Sequence, residues 1–528
     1  MEFKPNKLAL VVSALSVLGT FTAQAQEQAA ATASAEDVVE LQPINIEGKT
    51  DLDAQAQDEV YTENVTSVYQ SREELQRFQT ANPGDVFKGM NGVYSMDTRS
   101  SQAITPNIRG ISGEGRVPLT IDGTEQSTNV WLHMFGAGNR NYVDPALFRS
   151  IEVEKGPSLS RGIRSGVGGA VNIRTIEPGD IIPDGDSWGI EANLRGSGNT
   201  SKPRFDANSM YGQDWRNVPG ATVAGDGLTV HVPVPQARSR GDGELFNLDD
   251  HAQMLAIAGR HEFVDILLSR SERTTGNYYA GKHGADRYAG HDVWDDTSTD
   301  RYIPNLTKLY SAGSEVFNTA SETDTTLFKN NWYLPHEQRL GLQFMRTDML
   351  FGETTPGASV LAWGYLEAAD RSNPDRDRSD DRWVYETPRS EQRLDNYKLS
   401  YDIKPADSDW LNLEASLWRT ELEGTRYQTG ASPYAVDVDQ ATQQQLRMWS
   451  LLMEHGYLPP GTPAPEHNGT IYSNGRQWTS HDRTGLDLSN QMQLTDTLQL
   501  TFGGSYQKEK LDDRVEQSLT TTNGLAPD

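Results

Sequence analysis

Cysteine is absent from all 528 residues, which removes disulfides, thiolate metal sites, cysteine nucleophiles and a lipidated N-terminal cysteine. Nowhere does an apolar run approach the roughly 20 residues a membrane helix needs, so a helical transporter is excluded. Basic side chains are the minority: 47 against 74 acidic ones leaves a net charge of −27, whereas a nucleic-acid binder carries a basic footprint. Hydrophobic residues make up only 36%, with a mean hydropathy of −0.64. What the chain does have is 47 glycines and 9% aromatics, a balance that suits a β-rich protein with many turns.

The N-terminus sets the compartment. Lys4 and Lys7 precede the uncharged run from Leu8 to Leu18, and Ala23-Gln24-Ala25 supplies a small-x-small site before Gln26. Residues 1–25 are therefore expected to be a secretory signal peptide, too short in its apolar part to span a bilayer, with export to a bacterial envelope. Gln26 to Asp37 is Ala/Gln/Glu-rich without periodicity, and 26–59 is expected to be disordered around one short extended stretch, Leu41-Gln42-Pro43-Ile44-Asn45-Ile46. There Pro43 bars helix and Ile44 and Ile46 alternate at strand spacing. From these residues alone the stretch is either a plain linker or a strand available to another protein's sheet edge.

Residues 60–178 read as a compact mixed α/β domain. Ser71-Arg72-Glu73-Glu74 signals a capped helix start, Asn82-Pro83-Gly84-Asp85 another helical turn, and Ser150 to Glu154 an alternating strand stopped by Gly156-Pro157. The succession Asn107-Ile108-Arg109-Gly110, Leu119-Thr120-Ile121-Asp122-Gly123, Ser150-Ile151-Glu152-Val153-Glu154-Lys155-Gly156-Pro157-Ser158 and Gly166-Val167-Gly168-Gly169-Ala170-Val171-Asn172-Ile173 resembles the plug domain of TonB-dependent outer-membrane receptors. Each piece is weak alone; four in order behind a signal peptide are specific. The resemblance implies that 41–46 is similar to a TonB box, the strand that the periplasmic partner TonB grips. It also implies that Arg109 and Arg116 pair with acids on the inner barrel wall and hold the plug as a gate.

Residues 187–528 carry the period-two alternation of strands with one apolar and one polar face. Trp188, Ile190, Ala192 and Leu194 alternate with Gly189, Glu191, Asn193 and Arg195, and the pattern recurs at 252–258, 328–334, 340–344, 397–403, 411–417, 486–494 and 498–506. A soluble sandwich gives the same alternation. Connection lengths separate the two: short turns near 259–262, 335–337, 404–409 and 495–496 alternate with long polar connections near 199–250, 273–323, 351–390 and 424–479. Tight turns at one end and long loops at the other are the habit of outer-membrane barrels. About nine transmembrane antiparallel strands are expected, a partial barrel against the 22 that the resemblance implies. The expectation at this point is a fragment or a truncated product that cannot seal a barrel alone, because open edges in hydrocarbon leave backbone groups unsatisfied.

Catalytic signals fail on inspection. His261-Glu262 and His336-Glu337 begin like a zinc-protease motif, but Asp265 and Leu340 stand where the second histidine is required. Gly110 to Gly115 lacks phosphate-loop order, and the run from Asp375 to Asp381 has Asp380 where a calcium loop needs glycine. No enzyme, resident cofactor or metal is expected. Ligand contacts are sought where the apical plug loop meets the outer loops: Trp131, His133, Phe135 and Arg140 on the first, Tyr278, Tyr279, Trp363 and Tyr365 on the second. These rings suit either a ligand mouth or packing against the barrel wall and its interface girdle. The expected function is capture and inward passage of a scarce iron chelate, with ferric siderophore placed ahead of haem or a haem protein. The expected partners are TonB, the chelate, and outer-membrane lipid and lipopolysaccharide, with no nucleic acid. A surface or secreted β-rich adhesin is the alternative from another class.

Overall fold

The computed structural model describes residues 49–516 apart from scattered breaks, the longest being 241–248, 284–306 and 355–387. The signal peptide, the segment 41–46 and residues 517–528 lie outside the described residues. The first described element is a helix, Lys49–Thr62, which the sequence does not announce because KTDLDAQAQDEVYT has no apolar stripe. Five strands then form the plug sheet: β1 Ser67–Gln70, β2 Leu119–Ile121, β3 Thr124–Glu125, β4 Phe148–Glu154 and β5 Ala170–Thr175. Their order is β1-β4-β5-β2-β3, with only β5 and β2 parallel. The helix Arg72–Arg77 starts at a reciprocal cap. The Ser71 amide donates to Glu74 Oε2 at 3.0 Å and the Glu74 amide donates to Ser71 Oγ at 3.4 Å.

Register puts Leu119, Ile121, Ile151, Val153, Val171 and Ile173 on one face of the plug sheet, and all are buried. That face seeds a single apolar cluster which continues into Met254, Ala256, Ala258, Leu267, Leu327 and Met345 on the barrel wall. The plug is thus seated on the wall by ordinary hydrophobic burial before any polar contact is counted.

The wall is one antiparallel sheet of nine described strands in sequence order: β6 Trp188–Ser197, β7 Asp250–His261, β8 Val264–Thr275, β9 Ser321–Leu334, β10 Gln338–Phe351, β11 Ser390–Ile403, β12 Leu413–Tyr427, β13 Arg476–Thr495 and β14 Leu498–Glu516. Cross-strand pairing aligns the outward side chains in rows. Ile266, Asn330, Leu342, Leu399, Leu417, Leu486 and Tyr506 lie side by side. Four residues nearer the long loops, about 13 Å along the strands, the row reads Arg270, Thr326, Arg346, Asp395, Glu421, Asp482 and Lys510. An apolar band at the short-turn end, bounded by a charged row towards the long loops, is the outer surface of a membrane barrel. On the inner face, Trp418 is 1% exposed only because its cross-strand neighbour is Gly485, where a Cβ would stand 2.1 Å from the indole.

Three details depart from the sequence reading. The helix Lys49–Thr62 occupies the end of 26–59, which is expected to be disordered. The first hairpin turns at Glu262-Phe263 rather than 259–262, since pairing continues to His261 opposite Val264. The long connection between β12 and β13 also holds a 15-residue helix, Gln440–Glu454, capped by Asp439 Oδ1 on the Thr442 amide at 2.8 Å. Its Gln-rich sequence buries one side chain, Leu446.

Candidate functional site

The three most deeply buried ion-pair systems that fasten the plug to the inner wall each grow from a local turn. The first is the Asp122-Gly123 turn between β2 and β3, where Asp122 adopts φ 50°, a left-handed conformation that aspartate tolerates better than most residues. Its Oδ1 accepts the Thr175 amide at 2.9 Å, and its Oδ2 accepts Gln343 Nε2 at 3.0 Å and lies 3.5 Å from Lys329 Nζ. Lys329 reaches Glu177 Oε1 at 2.6 Å, and Lys398 Nζ donates to the Asp122 carbonyl at 2.6 Å. Burial alone would raise the Asp122 carboxyl. The Lys329 ammonium, the Thr175 bonds and Lys398 more than reverse this and hold it below the ordinary range.

The second system is Asp144, which caps the 3-10 turn Pro145–Leu147 through the Ala146 amide at 3.0 Å. It takes Arg273 Nη2 at 2.9 Å and the Ser271 hydroxyl, both from β8. The third is Glu353, just past β10, held between plug Arg140 at 3.2 Å and Arg426 of β12, whose Nε lies 2.7 Å away. All three side chains are at most 11% exposed. Burial would push the Glu353 carboxyl up, but the two guanidiniums hold it down at about 2. A folded-state value below the ordinary 4.5 contributes stability that is fully present above pH 4.5 and is lost as pH falls towards 2. The contribution is roughly 3 kcal/mol. Thermal stability is expected to fall more steeply between pH 5 and 3 in the native protein than in Glu353→Gln, and equal slopes would remove Glu353 from the account of acid lability.

The expected gate residues sit elsewhere. Arg109 is exposed in a tight turn, φ 52°, and donates to the Lys155 carbonyl at 3.3 Å within the plug; it does not meet a barrel acid among the described residues. Arg116 is also exposed, and no ion pair involves it among the described residues. The arginine–acid pairing expected of the plug is instead made by Arg72 with Glu191 at 2.8 Å, Arg161 with Glu414 at 3.6 Å, and Arg140 with Glu353. At Asp122 and Asp144 the sense is reversed: the plug supplies the acids and the wall supplies the bases. Alternation in β6 marks Glu191 as inward from sequence alone; the identity of its partner is not visible there.

The mouth is only partly defined. Thr128–Trp131 pairs with Ala137–Arg140 as an apical hairpin, so Trp131 lies on it, while His133 and Phe135 fall in 132–136, outside the described residues. Trp363 and Tyr365 are also outside. Arg140 is committed to Glu353, which corrects its assignment as a ligand contact. Half-buried Tyr278 and Tyr279 serve as struts: the Tyr279 hydroxyl bonds Ser201, and the Tyr278 amide donates to Thr319 Oγ1 at 3.1 Å. The outermost loops are tied as well. Val218 and Val230 of 198–249 pack with Val436 and Ile471 of 428–475, and the Ile471 amide donates to the Gln213 carbonyl at 2.8 Å. Those loops spring from β7 and β12, five places apart in the sheet, about 24 Å along it.

Comparison with known proteins agrees with this geometry. The family model described as TonB-dependent Receptor Plug Domain matches residues 61–170. The hemophilin receptor of Acinetobacter baumannii is 36% identical over 474 residues, covering 90% of this chain and 40% of that protein. The heme transporter BhuA of Brucella ovis is 25% identical over 277 residues, 50% of this chain and 37% of that one. Among solved structures, a double mutant of the hemophore receptor HasR of Serratia marcescens, in complex with its hemophore HasA and heme, superposes with a TM-score of 0.54 at 17% identity. It covers 87% of this chain and 47% of that one, a likeness of fold. The chain thus spans less than half the length of these relatives. Residues 61–170 are thus a TonB-dependent receptor plug domain, seated here on antiparallel strands of the kind that wall outer-membrane barrels.

Proposed function

We propose that the chain supplies the plug and nine barrel strands of a receptor that takes up haem, free or delivered by a carrier protein, with TonB acting on residues 41–46. The observation that carries this reading is 36% identity across 90% of the chain to a protein called a hemophilin receptor, supported by the match to a heme transporter. These names reverse the order given by sequence alone, where siderophore stands ahead of haem. Tied outer loops above a plug held by three buried ion-pair systems suit a ligand that is caught outside and admitted only when the plug yields.

The test is growth on a single iron source with the full-length gene. Deleting the gene is expected to abolish growth on haem and spare growth on ferric siderophore; the opposite pattern would restore the siderophore reading. His133, on the apical loop, is proposed as a ligand to haem iron. His133→Ala is expected to lose at least about tenfold in haem affinity, since loss of an outer-shell partner of a metal ligand can by itself cost that much. Unchanged haem binding would return His133 to a packing role.

A further inference from the structure

We propose that the helix Lys49–Thr62 is a force-sensitive latch, held shut by Asp53 between the Tyr69 hydroxyl and the Arg149 guanidinium. The Tyr69 hydroxyl donates to Asp53 Oδ1 at 2.6 Å, and Arg149 Nη1 lies 3.4 Å from the same oxygen. Arg149 is only 12% exposed and its Nε reaches Asp180 Oδ1 at 3.2 Å. Asp180 in turn accepts the Glu177 amide at 2.9 Å, closing the cap of the short helix Pro178–Ile181. That helix is pressed onto β6, because a Cβ on Gly189 would stand 2.1 Å from the Ile181 carbonyl oxygen. Asp53 is therefore the N-terminal end of a chain of contacts that runs through the plug to the wall. Burial first, and then Asp53 itself, push the Tyr69 phenol up to about 12, so it remains a donor at physiological pH.

The mechanical order follows from lengths and strengths. The 14-residue helix spans about 21 Å, and the same residues extended span about 46–50 Å. A helix of this length is marginal in water by itself, so its docked state depends on tertiary contacts. A pull on the residues ahead of it loads Asp53 first. Once that contact opens, the helix unwinds and adds slack of roughly 25–29 Å before load reaches β1, the edge strand paired to β4 over four residues. The latch sets the threshold at which the plug begins to feel a pull. The pull rests on the reading of 41–46 as the segment TonB grips; the latch does not.

Amide hydrogen exchange on the full-length receptor in detergent micelles tests it. Asp53→Asn and Tyr69→Phe are each expected to raise exchange in 49–62 by about tenfold, the effect of losing one hydrogen bond to a charged group, with peptides from β4 and β5 unchanged. Combining the two should add less than the sum of the single effects, since both act at the Asp53 carboxylate. Unchanged exchange in both variants, or strictly additive effects, would overturn the latch. Failure of wild type to bind the purified periplasmic domain of TonB would instead overturn the reading of 41–46, while exchange still decides the latch.

Discussion

A receptor carrying Ile44→Pro is expected to bind its ligand normally and import none of it. If the stretch Leu41 to Ile46 is captured as an added strand, the bond network is between backbones: each alternate amide must donate to the partner's edge. Proline removes one donor and fixes φ, and beside Pro43 it would leave two consecutive residues unable to donate. Residue 44 belongs to neither the plug sheet nor the outer loops, so binding to whole cells should match wild type while energised uptake falls to background. Ile44→Ala is the control, since it trims the side chain and keeps the donor. Undiminished uptake in the proline variant would refute the assignment of 41–46. Equal loss in both variants would mean the side chain, not the backbone, is recognised.

The barrel was the most legible part of the molecule. A strand with one face in hydrocarbon and one towards the plug must alternate, and long and short connections must alternate with it, so the nine strands could be counted from Trp188 onward. Turn positions were less legible because nothing in Arg260-His261-Glu262 says how far pairing continues before the chain reverses. The plug was legible where backbone chemistry is encoded locally, as in the Ser71–Glu74 cap and the Asp122-Gly123 turn. Neither extra helix was legible. Lys49–Thr62 has no apolar stripe and is tied to the plug through Asp53, and Gln440–Glu454 buries only Leu446.

The gate exposes the limit more sharply. Sequence supplies candidate charges, but which of them meet depends on the register of strands separated by up to several hundred residues. Arg140 and Glu353 are 213 positions apart, and Asp122 and Lys398 are 276 apart. The rule that buried charges are paired was sound. Arg109 and Arg116 lie exposed on turns, and neither meets a barrel acid among the described residues.

Asp122 is where removing one charge should matter most. Asp122→Asn keeps a residue that tolerates the left-handed φ of 50°, so the turn survives and only the charge is lost. Lys329, 4% exposed, then has Glu177 alone as counterion, and the Thr175 hydroxyl and Gln343 lose an ionised acceptor. Breaking a buried ion pair on one side costs about 3–5 kcal/mol because the other charge stays buried without full compensation. The plug should therefore detach from the wall at lower urea concentration, and in cells the full-length variant should leak large antibiotics that the intact plug excludes. Lys329→Met provides the complementary test. Removing the ammonium strands buried Asp122, and the double variant should recover much of the loss because the one acid then left without Lys329, Glu177, is partly exposed to water. The strands of the wall, whose pairing does not involve Asp122, should unfold as before, which separates a loosened plug from a damaged barrel. A plug transition shifted by less than about 0.5 kcal/mol, the size of an ordinary surface change, would show that the apolar seating against Leu267, Leu327 and Met345 holds the plug by itself.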